Sequence, residues 1–299
     1  MGDPDRDTGS REHTIEELVE RAKQYPFLRP AGSFVFTHGR TYPVPHPAGP
    51  WSPDLEVADG DRTISFSELC ERVGAGSHAA GNGGAADYAC EERTPVFGYS
   101  SNASPDALSH KFAVLPNAVI PSIRCHVTDW DAVYSCHISR GYVPGAIHPS
   151  PGTDLHGTLS WLTDDELELM NASENLGINY GFKPLKGVVA TFENGETITG
   201  PLAYLTLHGE LRINDLPVAV AGTTADNRRY GVMAETEVLE LARARIAPDQ
   251  DLDTMIAAAI GSFETQQALT RKLKECHFTT PGGTPGPLMG EAGPDSDPG

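Results

Sequence analysis

Glu174 occupies a position where an amphipathic helix carries an apolar side chain, which makes it the first candidate for chemistry. Leu167 and Met170 precede it at helical spacing, so all three share one face. A carboxylate in line with an apolar stripe needs a reason. Burial there would raise its pKa and suit it to proton transfer near neutral pH. If the helix instead frays at Asn171, Glu174 is a surface residue, and periodicity alone does not choose between the two.

The second candidate is a turn. Val96-Phe97-Gly98-Tyr99 reads as a short strand, Ser100-Ser101-Asn102-Ala103 as a turn, and Ser104 as the cap of a helix with Pro105 at its first position. A sharp turn entering a helix N-terminus exposes backbone N–H groups that favour a carboxylate or an oxyanion. Ser100, Ser101 and Asn102 add side-chain donors, although Asn102 and Ser104 could simply cap the turn. Tyr180 lies beyond Gly177; its hydroxyl could reach back to such a pocket, or it could be a core tyrosine at a strand start. Arg140 could bind a substrate carboxylate or face solvent. His137 lies in the His-, Arg- and Tyr-rich stretch Ser135–Pro144, which could set the ligand. With Cys136, His148 and Cys125-His126 that stretch invites a zinc reading. The spacings match no standard ligand set, and strand alternation would split adjacent Cys-His pairs between faces, so no metal is expected. Cys136 could be a nucleophile, but no base is evidently oriented onto it, which favours a buried structural thiol.

The elements that must position these groups carry local signals. Thr163-Asp164-Asp165-Glu166 is a capping box, with Leu162 and Leu167 as a hydrophobic staple, so the register of the helix leading to Glu174 is well set. Thr14/Glu17 and Ser65/Glu68 open two further helices in the same way, and Ser33–Tyr42 suggests a strand pair turning at Gly39. Gly145–His148 reads as a short strand, residues 149–153 as a turn, and Leu155–Leu162 as the next strand. Glu193-Asn194-Gly195-Glu196 suggests a hairpin turn. A helix beginning at Thr236 ends before Pro248, and another spans Asp251–Phe263 with Phe263 turned inward. Residues 74–86 read as a linker.

The chain of 299 residues carries 41 acidic and 22 basic side chains, a formal charge of −19, which argues against a nucleic-acid partner. No apolar run approaches the ~18 residues of a membrane span, and the polar start MGDPDRDTGS has no signal-peptide core. Five cysteines, an odd number without a CxxC, suggest free thiols in a reducing, cytoplasmic setting.

Four pieces in order resemble the gamma-glutamylcyclotransferase-like family: the turn Tyr99-Ser100-Ser101-Asn102, the run Gly145–Gly152, the strand Leu155–Leu162, and the helix ending at Glu174 with Tyr180 after it. The resemblance spans roughly residues 95–192. It implies an α+β fold built on a mixed β-barrel with packed helices. The expected layout is a disordered arm (1–13), an N-terminal α/β extension (14–94), the core (95–200), a C-terminal α/β extension packing on it (201–275) and a disordered tail (279–299). It further implies that Glu174 is the general base and acid and that the turn cradles the glutamyl end of the substrate. Tyr180 would orient, and no cofactor would be required. The implied partner is a small amide or amino-acid derivative. Two positions depart from the pattern: Ser100 replaces the glycine of the family's turn, and Asn175 replaces the glycine after the glutamate. Both imply a reshaped pocket or another amide substrate. The competing expectation is a non-catalytic ligand-binding or protein-interaction protein on the same fold, acting with a protein partner or as a homodimer. It requires Glu174 to be exposed or salt-bridged, or the pocket to be filled.

Overall fold

The computed structural model describes residues 13–75 and 84–279. The expected arm (but for His13), most of the expected linker and the expected tail from residue 280 on lie outside the described residues. Helix α1 (Ile15–Lys23) is followed by two hairpins, β1 (Phe34–Thr37) with β2 (Arg40–Pro43) and β3 (Glu56–Asp59) with β4 (Arg62–Ser65). Helices α2 (Phe66–Val73) and α3 (Ala85–Ala89) precede strand β5 (Thr94–Gly98). A single 3-10 turn, Ser101–Ala103, leads into α4 (Pro105–Lys111). Two long strands follow, β6 (Ile120–Tyr134) and β7 (Gly145–Leu162), then helix α5 (Asp164–Ser173). Four shorter strands come next: β8 (Tyr180–Pro184), β9 (Val189–Phe192), β10 (Thr197–Thr199) and β11 (Leu202–Thr206). The C-terminal part holds the small strands β12 (Arg212–Ile213), β13 (Leu216–Pro217), β14 (Ala219–Val220), β15 (Ala225–Asp226) and β16 (Val232–Met233), then α6 (Glu235–Ile246), α7 (Leu252–Gly261) and α8 (Phe263–Lys274).

The main sheet runs in the order β10-β9-β6-β7-β5-β11-β8. It is an open mixed sheet, which corrects the expected barrel: β10 pairs only with β9 and β8 only with β11, so the two ends never meet. The physical reason lies along β6. Its outer edge is shared by three short partners, β1 at Ile120–Ser122, β9 at Cys125–Val127 and β14 at Val133. None is long enough to carry the ladder round, and closure needs a continuous staggered register.

Strands β6 and β7 pair antiparallel from Ser122↔Ser160 to Tyr134↔Gly145, with a register shift between Thr128 and Trp130. The turn expected at residues 149–153 is therefore absent, and β7 is one continuous strand. Its prolines are accommodated beside that irregularity, where Asp129 takes φ +68° and its carboxylate accepts the Gly152 N–H at 2.7 Å. A proline cannot donate to a ladder, so a bulge is where a strand tolerates one. Gly157 is required for close approach, since a Cβ there would sit 2.6 Å from the Gly98 carbonyl oxygen. The helix expected over Asp251–Phe263 is also corrected: Ser262 ends α7 and caps α8, and Phe263 is half exposed at the start of the new helix. No helix among the described residues is long and apolar enough to cross a membrane.

Three apolar clusters support this frame. One contains Phe97 and Tyr99 beneath the main sheet. A second contains Tyr25 and packs against Tyr142, joining α1 to α6, α7 and α8. A third contains Met170, Tyr180 and Tyr204.

Candidate functional site

The three clusters meet around one small polar cavity. Its lining includes Tyr25, Tyr99, Ser100, Ser101, Asn102, Lys111, Arg140, Tyr142, Glu174, Asn179, Tyr180 and Tyr204. Helix α5 delivers Glu174 because its N-terminus is locked: the Thr163 hydroxyl accepts the Glu166 N–H at 3.4 Å while Glu166 accepts the Thr163 N–H at 2.8 Å. The helix does not fray at Asn171. Glu174 is its C-cap, and the next residue, Asn175, takes φ +49°. Asparagine is one of the few residues that tolerates this left-handed conformation. The Glu174 side chain is 12% exposed.

The turn meets Glu174 directly. Asn102 Nδ2 donates to Glu174 Oε1 at 3.0 Å. Ser100 takes φ −136°, so a serine here is not forced into the left-handed region. Within the turn, Ala103 N–H donates to Ser100 O and Ser104 N–H to Ser101 O, which leaves the Ser101 and Asn102 N–H groups outside its internal bonding. Such groups can serve an anionic or polarised oxygen.

Lys111 completes the constellation. It closes α4, and its ammonium donates to Asn102 Oδ1 at 2.7 Å and makes a close ion pair with Glu174. Its side chain is 9% exposed, and burial lowers its pKa against the opposing attraction of Glu174. A buried carboxylate is tolerable when paired and hydrogen-bonded in this way. Arg140 lines the same cavity from an exposed position with φ +50° and makes no ion pair among the described residues. The structure thus brings together Tyr99, Ser100, Ser101, Asn102, Arg140, Glu174 and Tyr180.

Phenols frame the rest. Tyr25 and Ser100 share a hydroxyl hydrogen bond of 2.7 Å, and the Gly145 N–H donates to Tyr25 Oη at 2.5 Å. Tyr180 Oη donates to the Gly145 carbonyl at 2.9 Å, and Tyr99 Oη to the Tyr204 carbonyl at 2.7 Å. Tyr142 stacks on Tyr25 with ring centroids 4.6 Å apart. Burial raises the pKa of Tyr25, Tyr99, Tyr142, Tyr180 and Tyr204, so all are neutral at physiological pH. The open space is small, about 40 Å³, enough for water but not for a substrate beside the Lys111–Glu174 pair.

His137 is not brought into this cavity. It is fully buried, its Nδ1 2.7 Å from the Ser135 hydroxyl, its ring stacked on His208 with centroids 4.4 Å apart. Burial lowers its pKa well below the ordinary value, and lowers that of His208 to about 4. In the unfolded chain both imidazoles titrate near about 6.5. Between that value and the lower folded ones the unfolded state binds more protons, so these groups withdraw stability as pH falls. The expected result is that His208→Gln gains in Tm relative to wild type as pH drops from about 6.5 to about 4.5, with the difference between the two constant above that window. Thermal melts across the range would show it, and a pH-independent difference would refute it.

Sequence reasoning missed Lys111, Tyr25, Tyr142, Asn179 and Tyr204. A lysine in the last turn of a helix reads as a partner for the helix dipole, and nothing local links it to an acid far along the chain. Cys125 and His126 point to opposite faces of β6, as alternation requires, with Cys125 buried.

No family model matches the chain, and no curated protein matches it. Among solved structures, one named gamma-glutamyl cyclotransferase is 17% identical over 40% of this chain and 69% of its own, with a TM-score of 0.34. An uncharacterized protein from Homo sapiens is 18% identical over 40% of this chain and 70% of its own, also at 0.34. YkqA from Bacillus subtilis is 14% identical over 41% of this chain and 44% of its own, at 0.31. The likeness to these solved structures is weak and partial, over about 40% of this chain.

Proposed function

We propose that the cavity between the Tyr99–Asn102 turn and Glu174 is the active site of an enzyme acting on a small amino-acid amide of the glutamyl-amine type. The reaction is an intramolecular acyl transfer. The observation that carries the reading is the 3.0 Å contact from Asn102 Nδ2 to Glu174 Oε1, which sets an enclosed carboxylate against a turn with N–H groups to spare. The substrate's free α-amine attacks its γ-carbonyl carbon. Glu174 takes the amine proton, the Ser101 and Asn102 N–H groups receive the developing oxyanion, and Glu174 returns the proton to the departing amine as the amide C–N bond breaks. The products are a cyclic 5-oxoproline and a free amine. Because the attack is intramolecular, positioning and one proton carrier supply the catalysis. Arg140, a cation at the cavity without a carboxylate partner among the described residues, takes the substrate's α-carboxylate in this reading.

Substrate must displace what now fills the space, and the Lys111 ammonium is the group to move. That same filling favours a second reading, a non-catalytic protein in which the Lys111–Glu174 pair is a settled structural contact. Incubating the protein with a panel of gamma-glutamyl amines and dipeptides, and weighing the products for 5-oxoproline, separates the two. Release of 5-oxoproline supports the enzyme. Folded protein that releases none and binds none of the panel supports the structural pair.

A further inference from the structure

Ala103, the last residue of the turn, lines a second cavity of about 430 Å³, ten times the first and of metabolite size. Its floor is the face of β6 and β7 turned away from the core. Alternation sends Ile123, Cys125 and Val127 inward and leaves Arg124 opposite Thr158 and His126 opposite His156 on the other face. Its roof is the segment that follows Phe27, tied down where the Ser104 hydroxyl donates to the Leu28 carbonyl at 2.8 Å. Gly222 and Thr224 close one side.

The polar groups of this cavity are not in balance. Arg29 donates to the Gly222 carbonyl at 3.1 Å, to the Thr224 hydroxyl at 3.4 Å and to the His156 carbonyl at 3.5 Å. All three acceptors are neutral, and no carboxylate among the described residues pairs with it. Arg124 reaches the Ala31 carbonyl and has only a 4.0 Å contact with Glu193. The neighbouring acids are engaged elsewhere: Asp226 with His156 at 2.9 Å and Asp131 with Arg228 at 3.3 Å. Burial and the like charges of Arg228 and Arg124 lower the Arg29 pKa to about 10, which leaves it protonated at neutral pH. The Thr158 hydroxyl, on a residue 5% exposed, has no hydrogen-bond partner among the described residues. A buried hydroxyl without a partner and a half-buried cation without a counter-charge are both costly. Their coincidence in one cavity, on a chain of net charge −19, needs an explanation.

We propose that this cavity binds a small molecule by an oxyanion, a carboxylate or a phosphate, held between the Arg29 and Arg124 guanidiniums with the Thr158 hydroxyl as a further donor. The guanidinium fork suits planar and tetrahedral oxyanions alike. A ligand of this kind supplies the counter-charge that Arg29 lacks. The inference is independent of the reaction proposed at Glu174, since the two cavities share no side chain.

Isothermal titration of the full chain at low ionic strength, with inorganic phosphate and separately with succinate, tests it. At least one anion is expected to bind wild type, more weakly as salt is added. Arg29→Met is expected to weaken that binding at least about tenfold, and the near-isosteric Thr158→Val to weaken it by a smaller factor without disturbing the fold. Glu174→Gln is expected to bind as wild type does. Tighter phosphate binding assigns a phosphorylated ligand, and tighter succinate binding a carboxylate. Failure of both anions to bind wild type overturns the proposal, as does unchanged binding by either folded variant, Arg29→Met or Thr158→Val.

Discussion

Replacing Glu174 with glutamine is expected to cut 5-oxoproline formation by about 10²–10⁴-fold, the usual worth of a positioned general acid–base group. Glutamine keeps the size of the side chain and an acceptor for Asn102 Nδ2, so the contact that joins α5 to the turn can persist. What disappears is the ability to take and return a proton. The loss should therefore fall on kcat rather than on KM, because an interaction specific to the transition state is removed. Lys111, its side chain 9% exposed, would lose its charge partner, so a modest fall in Tm is expected as well. Kinetics must be read on protein shown to be folded by circular dichroism. Equal rates for wild type and variant would remove Glu174 from the chemistry, whatever the fate of the substrate assignment.

The largest stability effect is expected at Glu166. Truncation to alanine should cost about 3–5 kcal/mol, the range for removing one partner of a buried ion pair. Glu166 Oε2 meets Arg93 Nη1 at 3.0 Å, and the two side chains are 1% and 0% exposed. Its other oxygen accepts from Tyr88 Oη at 2.5 Å and from the Val119 N–H at 3.2 Å. Oε2 also accepts the Thr163 N–H of the capping box. One carboxylate therefore joins α3, the start of β5, the approach to β6 and the first turn of α5. Without it Arg93 is left charged among Trp51, Phe66 and Tyr88, and the helix that carries Glu174 keeps its Thr163 cap but loses the reciprocal half of the capping box, the Thr163 N–H bond to Glu166. Denaturant melts of Glu166→Ala and Glu166→Gln check this. Glutamine should cost less, since it retains part of the hydrogen bonding. A loss below about 1 kcal/mol in the alanine variant, the value typical of exposed pairs, would sink the account.

Glu166 also shows how far a local signal reaches. Its place in the capping box is readable from Thr163-Asp164-Asp165-Glu166, and the structure contains that box. Its burial against Arg93 is not readable, because the partner lies 73 positions earlier in the chain. Glu174 divides the same way. Its alignment with Leu167 and Met170 follows from the helical period, whereas its ion pair with Lys111 spans 63 positions. The prolines of 149–153 look like a turn in isolation; they lie inside β7 because β6 supplies a bulge opposite them. The expected barrel fails for a similar reason, since closure depends on how three short strands divide one edge of β6.

By itself the sequence determined the helix starts at Thr14, Ser65 and Thr163, the hairpin around Gly39 and the strand-turn-helix at Val96–Ser109. Each depends on backbone groups and side chains within a few positions of one another, where period and capping chemistry act directly. Only the tertiary structure decided that the sheet stays open, that Lys111 neutralises Glu174, that His137 stacks on His208 away from the cavity, and that Arg29, without a carboxylate partner, and Thr158, without a hydrogen bond among the described residues, line a common cavity. Those outcomes depend on which distant segments share a low-dielectric interior, where the strength of a charge or hydrogen bond is set by neighbours that local spacing does not encode.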